Sequence, residues 1–213
     1  MPEAPFNPLD KLSLARGIAR AMLEKPCLRL PPSESFVGAG IYAIYYTGKF
    51  GLYEKLAALN RGGKFGAPIY VGKAVPEGAR KGGFELGARQ GTALYKRLRE
   101  HAKSIDEARN LDLPDFWCRY LVVDDIWIPL GEQLLIEAFS PIWNSALDGF
   151  GIHHLGGGRK GQQRSAWDVL HPGRRLADGL KANKRSEPEI VADMRKFLAG
   201  WELKQDWLRF EPG

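Results

Sequence analysis

The sequence predicts an α+β fold in which short strands and amphipathic helices follow one another along the chain. Two apolar runs, residues 40–46 and 68–72, are rich in β-branched and aromatic residues and are bounded by glycine or proline, which is typical of buried strands. A third run of this type covers residues 116–123. Apolar residues at helical spacing lie between and after these runs, so the predicted order is strand, strand, helix, strand, helix.

Length and composition indicate a soluble globular protein with one core. The chain has 213 residues, of which 44% are hydrophobic and 26% are charged. No apolar run approaches the roughly 20 residues needed to span a bilayer, and residues 1–10 do not resemble a signal peptide. Cys27 and Cys118 lie far apart in apolar surroundings, so we expect free thiols in a reducing compartment. We expect a single domain with an N-terminal arm (1–35), a core (36–144) and a C-terminal extension (145–213).

The charge is unevenly distributed along the chain. The formal net charge is +6, residues 49–103 contain twelve Lys or Arg against four Asp or Glu, and residues 145–185 contain eight against three. Residues 104–144 show the reverse, with two against eight. Two basic segments around an acidic one favour a polyanion-binding face that contains a local carboxylate site, and an uneven solvated surface is the alternative.

The N-terminal half of the chain contains two further predicted helices. Apolar spacing predicts a helix over residues 9–25, ended by Pro26, which serves as a packing or dimer contact or simply as a brace. A second helix is predicted at residues 50–60, between the first two strands. If those strands pair, the hydroxyl groups of Tyr42 and Tyr70 come close together.

A long polar loop follows the second strand. Residues 73–91 contain several glycines together with Lys73, Arg80, Lys81 and Arg89. Glycine allows close approach of the backbone to a phosphate and the basic side chains supply charge, so we expect this loop to contact a nucleic acid. A plain mobile loop is the alternative.

Four polar residues of the predicted helical stretches are candidates for a site. Arg97 and His101 are four residues apart in a helix predicted from Thr92 to about residue 103, so they share one face. Glu132 is predicted to begin a helix over residues 132–139, where the macrodipole favours an ionised carboxylate; Glu137 is the rival carboxylate. Asn144 follows the apolar run that ends at Trp143.

The C-terminal extension begins with a basic segment rich in glycine. Arg159, Lys160 and Arg164 lie among glycines and glutamines, and arginine and glutamine are the side chains that read guanine and adenine in the major groove. We therefore expect a recognition loop here, with a flexible linker as the alternative. Periodic apolar residues predict a final helix over residues 187–198.

The ordered set of candidates resembles the GIY-YIG nuclease superfamily. The tripeptides Gly40-Ile41-Tyr42 and Tyr70-Val71-Gly72 resemble its two-part signature, and the later residues occur in the order of its catalytic set. The candidate catalytic residues are thus Tyr42, Tyr70, Arg97, His101, Glu132 and Asn144. This order is similar to that of the type II restriction endonucleases of the superfamily, over about residues 36–175. The helix between the two tripeptides departs from the short hairpin of compact members.

The resemblance implies a fold and a role for each residue. The fold is a central, mostly antiparallel three-stranded sheet flanked by helices. Tyr42 takes the proton of the attacking water and passes it to His101, Tyr70 orients water or phosphate, and Arg97 contacts the scissile phosphate. Asn144 supports the site by hydrogen bonding.

The resemblance also implies a metal, partners and a location. Glu132 holds one divalent cation, Mg²⁺ with Mn²⁺ as a substitute. The partners are double-stranded DNA and a second copy of the chain, with no membrane, in a bacterial cytoplasm. Related enzymes cut the palindrome CCGCGG, so a palindromic G/C-rich site is expected. A homing or repair nuclease and a catalytically silent DNA-binding module are the alternatives.

Overall fold

A four-stranded antiparallel sheet lies between two layers of helices in the computed structural model, which describes residues 11–75, 91–153 and 162–203. The strands are β1 (Leu28–Arg29), β2 (Gly40–Tyr46), β3 (Tyr70–Ala74) and β4 (Phe116–Val122), in the order β1-β4-β2-β3. The helices are α1 (Lys11–Leu23), α2 (Glu54–Asn60), α3 (Ala93–Asp106), α4 (Ile128–Phe139), α5 (Ile142–Ser145), α6 (Ala166–Leu170) and α7 (Glu187–Ala199). The predicted α+β class is confirmed, and the short edge strand β1 is added to the three expected strands.

Strand β2 is the centre of the sheet because it pairs with β3 on one side and with β4 on the other. Every residue of β2 is buried. Successive side chains of a strand point to opposite faces, so Tyr42 and Ile44 pack in the cluster that includes α3, while Ile41 and Ala43 pack in the cluster formed with α1 and α4. The uninterrupted apolar run is therefore the signature of a strand covered on both faces.

The helix inserted between β2 and β3 does not disturb their pairing. Asn60, at the end of α2, is fully buried and donates from Nδ2 to the carbonyls of Tyr46 and Ala67, at 3.0 and 2.8 Å. Its Oδ1 accepts from the Ala67 amide at 2.9 Å. One side chain thus joins the end of β2 to the chain that leads into β3, so a hairpin register is kept across a long connection.

Helix α4 begins four residues before the predicted start. Its first residue is Ile128, because Pro129 is tolerated in the first turn of a helix, where its missing N–H needs no partner. Gly131 lies inside the helix, where a Cβ atom would lie 2.7 Å from Cγ2 of Ile18. The prediction that Glu132 begins the helix was wrong: it lies in the second turn, beyond the reach of the strongest macrodipole effect.

The C-terminal part of the described chain packs back on the core. Ser186 and Glu189 form a capping box at the start of α7, and the Trp201 indole donates to the carbonyls of Phe139 and Ser140 at 3.1 and 3.0 Å. Cys27 and Cys118 are free thiols, as expected. Among the helices of the described ranges, none is long and apolar enough to cross a membrane.

Acid is expected to destabilise the fold through His171. Its Nδ1 donates to Asn110 and its Nε2 accepts from Tyr53, at 2.9 and 2.6 Å, and burial lowers its pKa from 6.5 to about 3. The unfolded chain therefore binds a proton at a pH where the folded chain does not. The free energy of unfolding should fall as the pH drops below 6.5, by about 1.4 kcal/mol per unit from this group.

Urea unfolding at pH 7 and at pH 5 measures this effect. A His171→Gln variant, already less stable at pH 7, should show a smaller loss between the two values. An equal loss in both proteins would show that other groups cause the acid sensitivity.

Candidate active site

The two residues on which the candidate site is built, Tyr42 and His101, form a direct hydrogen bond. Tyr42 lies in the middle of β2 and His101 in the third turn of α3, both fully buried, and Tyr42 Oη lies 2.6 Å from His101 Nε2. Burial, and to a smaller extent the Tyr70 phenol, raises the pKa of Tyr42 well above 10. Burial, and to a smaller extent His153, lowers the pKa of His101 well below 6.5. Both shifts keep the proton on Tyr42 and the imidazole neutral.

Strand pairing brings the second tripeptide to the first. In the antiparallel register Tyr42 lies opposite Gly72, and the rings of Tyr42 and Tyr70 are 6.2 Å apart. The Tyr42 phenol crosses directly over Gly72, where a Cβ atom would overlap the hydroxyl and lie 2.6 Å from Cζ. The absence of a side chain at Gly72 therefore leaves the space that the Tyr42 phenol occupies.

Replacing Gly72 by alanine is expected to displace the Tyr42 hydroxyl from His101. The added methyl group overpacks the strand and should lower the free energy of unfolding by about 1–3 kcal/mol. Gly51→Ala is a matched control because a Cβ atom at Gly51 has no neighbour within 4 Å. Thermal unfolding of both variants measures the difference, and equal stability of the two would contradict the packing argument.

Arg97 lies one turn before His101 on α3 and is held from two sides. Its Nη1 lies 3.1 Å from a carboxylate oxygen of Glu100, and its Nη2 donates to the Gly151 carbonyl at 2.8 Å. Its Nε is buried and makes no hydrogen bond within the described ranges. Burial raises the pKa of Tyr42 and of Tyr70, and the positive charge of the Arg97 guanidinium acts in the opposite direction on both.

Glu132 and Lys73 form an ion pair in the lining of a cleft of about 420 Å³. Lys73 Nζ lies 2.6 Å from Oε2 of Glu132, with 42% of the lysine side chain and 18% of the glutamate side chain exposed. The cleft is lined by Tyr70, Lys73, Ala74, Val75, Ala93, Lys96, Arg97, Glu100 and Glu132. The lining therefore combines three basic side chains with two carboxylates.

The donor set of this cleft fits a single hard cation. Glu132 offers oxygen ligands at the edge of an open cleft, and no cluster of three or more metal-binding side chains occurs in the described part of the chain. Mg²⁺ keeps several waters and is held in phosphate-binding sites by one or two carboxylates together with substrate oxygens. One carboxylate beside basic groups that attract phosphate is sufficient for such a site.

Asn144 lies beside the free edge of β3. Its Oδ1 accepts from the amide of Val71 and its Nδ2 donates to the carbonyl of the same residue, each at 2.8 Å. The side-chain amide thus takes the place of a neighbouring strand at the residue after Tyr70. It lies outside the cleft lining, so its contact is with the backbone that carries the tyrosine.

The structure describes two of the predicted DNA contacts. Lys73 lies in the cleft, and Arg164 is exposed on a segment bonded through its backbone to Lys181 and Asn183. The remaining predicted contacts, Arg80, Lys81, Arg89, Arg159 and Lys160, lie outside the described residues.

Sequence reasoning missed four residues that contact the candidate set. Glu100 pairs with Arg97, and its position three residues later on the same helix was a usable signal. Phe150 stacks on His101 with ring centroids 4.5 Å apart, and the His153 ring lies 4.4 Å from that imidazole. Phe150, Gly151 and His153 lie in a connection without periodicity, so no local pattern indicated them.

Comparison with known proteins identifies the family of the chain. The family model of the Eco29kI GIY-YIG domain matches residues 34–198, which is most of the chain and includes all six candidate residues. A search of curated proteins finds no match. The chain belongs to the Eco29kI family of GIY-YIG restriction endonucleases.

Proposed function

We propose that the protein is a type II restriction endonuclease that uses a divalent cation to hydrolyse phosphodiester bonds in double-stranded DNA. The observation that carries the proposal is the hydrogen bond of 2.6 Å between Tyr42 and His101, next to a cleft lined by Arg97 and Glu132. Phosphodiester hydrolysis needs an activated water, neutralised phosphate charge and a stabilised leaving oxygen. The residues around the cleft supply a group for each requirement.

Tyr42 is the proposed base and His101 the proposed proton acceptor. A phenol is a weak base unless its own proton can move on, and His101 Nε2 lies within hydrogen-bonding distance to receive it. In the free protein the raised pKa of Tyr42 and the lowered pKa of His101 both oppose this proton transfer. We therefore assign the transfer to the DNA-bound site, where the negative charge of the phosphate favours the imidazolium form of His101. The Tyr42 hydroxyl is buried, so the attacking water reaches it after a neighbouring side chain such as Tyr70 moves.

Arg97, Lys73 and Tyr70 are the proposed phosphate contacts. Arg97 presents a guanidinium that is already held by Glu100 and Gly151, so it donates to a phosphate oxygen from a fixed position. Lys73 adds a second positive charge in the lining of the cleft. Tyr70 lines the cleft and lies next to Tyr42, so its hydroxyl is the group proposed to orient the water or the phosphate.

Glu132 is the proposed metal ligand. When bound there, Mg²⁺ supplies positive charge that stabilises the phosphate and the departing 3′ oxygen. In the free protein Lys73 neutralises the Glu132 carboxylate. The carboxylate would therefore exchange Lys73 for the cation. We expect Mn²⁺ to substitute for Mg²⁺.

Two-fold symmetry is the proposed basis of double-strand cleavage. One site per chain cuts one strand, so a homodimer matches a palindromic target whose strands are related by the same symmetry. By resemblance to relatives the target is G/C-rich, with CCGCGG as the first sequence to test. Arg164 on the described C-terminal segment, and Arg80, Lys81, Arg89, Arg159 and Lys160 outside the described ranges, are the proposed further contacts to DNA.

Incubation of the purified protein with plasmid and phage DNA in Mg²⁺ tests the proposal. Discrete fragments are expected, and they should be absent in EDTA and with a Glu132→Ala variant. Sequencing of the fragment ends then gives the site and the position of the cut.

The other outcomes assign the chain to a different class. Cleavage limited to branched or damaged DNA would favour a repair or homing nuclease. DNA binding without cleavage in any divalent metal would favour a silent binding module and would remove the catalytic role of Glu132.

A further inference from the structure

A buried ion pair lies close to the candidate site but outside the catalytic set. Arg174 has 2% and Asp168 has 5% of its surface exposed, and the two form a bidentate pair. The Nε–Oδ1 distance is 2.7 Å and the Nη2–Oδ2 distance is 2.8 Å. Ser165 fixes the carboxylate from the other side, with its hydroxyl 2.6 Å from Oδ2.

The other donors of Arg174 bind the backbone of a single turn. The guanidinium donates to the carbonyls of Gly149, Phe150 and Ile152 at 3.1, 3.3 and 2.9 Å. This pattern requires the planar fork of an arginine, because the three donors of a lysine ammonium cannot reach the same set of acceptors. Arg174 therefore fixes the course of residues 149–152 through main-chain atoms.

That turn contacts two residues of the candidate site. The Gly151 carbonyl accepts from Nη2 of Arg97 at 2.8 Å, and the Phe150 ring stacks on His101 with an interplanar angle of 23°. A shift of the turn changes the position of the guanidinium and of the imidazole together. Arg174 itself does not line the cleft.

Stability alone is a poor explanation for this arrangement. A buried ion pair costs desolvation of both charges, and apolar residues of similar volume often serve a core as well or better. The interaction that apolar residues cannot replace is the set of hydrogen bonds to three carbonyls of the turn. The geometry therefore points to a role in positioning.

We propose that Arg174, held by Asp168, is a positioning residue that sets Arg97 and His101 through the turn at residues 149–152. The proposal rests on the proposed nuclease function for its effect on rate, but its effect on geometry is independent of that function. Misplacement of reacting groups by about 1 Å can reduce a rate about 100-fold. We expect a loss of this size in the single-turnover cleavage rate of Arg174→Lys.

The test compares Arg174→Lys with Arg175→Lys, a neighbour whose side chain is 84% exposed. Nuclear magnetic resonance of the free proteins follows the Arg97 Nε–H, Gly151 amide and His101 ring signals. Single-turnover cleavage follows the rate below the unfolding temperature of each variant. Arg174→Lys should move all three signals and slow cleavage, whereas Arg175→Lys should do neither.

A second variant covers the case in which Arg174→Lys does not fold. Ser165→Ala removes the hydrogen bond from the serine hydroxyl to the Asp168 carboxylate and the bond that this hydroxyl accepts from the Asp168 amide. It leaves Arg174 itself in place, so it should shift the same signals by a smaller amount. Unchanged Arg97 and His101 signals in a folded variant would overturn the proposal, even if the unfolding temperature falls. Shifted signals in a protein that cuts no DNA would uphold the positioning role and reject only the nuclease function.

Discussion

Replacing Glu132 by glutamine is expected to abolish DNA cleavage while the fold and DNA binding are retained. Glutamine keeps the shape of the side chain but is a poor ligand for Mg²⁺ and removes the negative charge from the cleft. Loss of one electrostatic stabiliser of a transition state costs about 100-fold to 1000-fold in rate, and loss of the proposed metal ligand should cost at least as much. The measurement is the single-turnover rate on a mapped duplex, together with the dissociation constant for the same DNA.

The matched control for this variant is Glu137→Gln. Glu137 lies on the same helix but is exposed and does not line the cleft. Its rate should equal that of the unaltered protein. Equal rates for Glu132→Gln and the unaltered protein would show that the cation, if used, is held by other residues.

Replacing Tyr42 by phenylalanine is expected to reduce the cleavage rate by about 100-fold to 10,000-fold. The change removes only the hydroxyl that bonds His101, and loss of a general base or acid has an effect of this size. It also leaves His101 Nε2 buried without its partner, so the free energy of unfolding should fall by about 1–3 kcal/mol. Cleavage is therefore measured at a temperature where circular dichroism shows the variant to be folded.

Tyr45→Phe separates chemistry from packing. Tyr45 is on the same strand and is fully buried, but it lies on the opposite face, where its hydroxyl bonds Arg119 at 3.2 Å. Its loss should affect stability with little effect on rate. A similar fall in rate for both variants would indicate that the strand, rather than the Tyr42 hydroxyl, is responsible.

The central strand of the fold was predictable because its pattern has few alternatives. Residues 40–46 carry no charge and have a glycine at the start, and the observed strand has the predicted limits. Gly40 is required there because a Cβ atom would overlap the Leu121 carbonyl. Helix α4 was misplaced because Pro129 and Gly131 are usually breakers, whereas here one lies in the first turn and the other permits close packing against Ile18.

The candidate site was predictable only in part. The order of Tyr42, Tyr70, Arg97, His101 and Glu132 marked them as candidates before the structure was known. In the structure Tyr70, Arg97 and Glu132 line one cleft, and the buried pair Tyr42 and His101 packs against Tyr70. The supporting residues were not predictable, because Phe150, Gly151 and Arg174 reach the site only when the chain after α5 folds back. Such contacts depend on tertiary structure and leave no periodic signal in the sequence.

The stereochemical course at phosphorus is the most direct test of Tyr42 as a base rather than a nucleophile. A duplex with a chiral phosphorothioate at the scissile bond is cleaved in water labelled with heavy oxygen, so that the two oxygens of the product end differ. The configuration at the phosphorus of that end is then determined. Direct attack by water has a single displacement, so inversion is expected. Retention would require two displacements and a covalent intermediate on the protein, and it would contradict the proposed transfer of a proton from water through Tyr42 to His101.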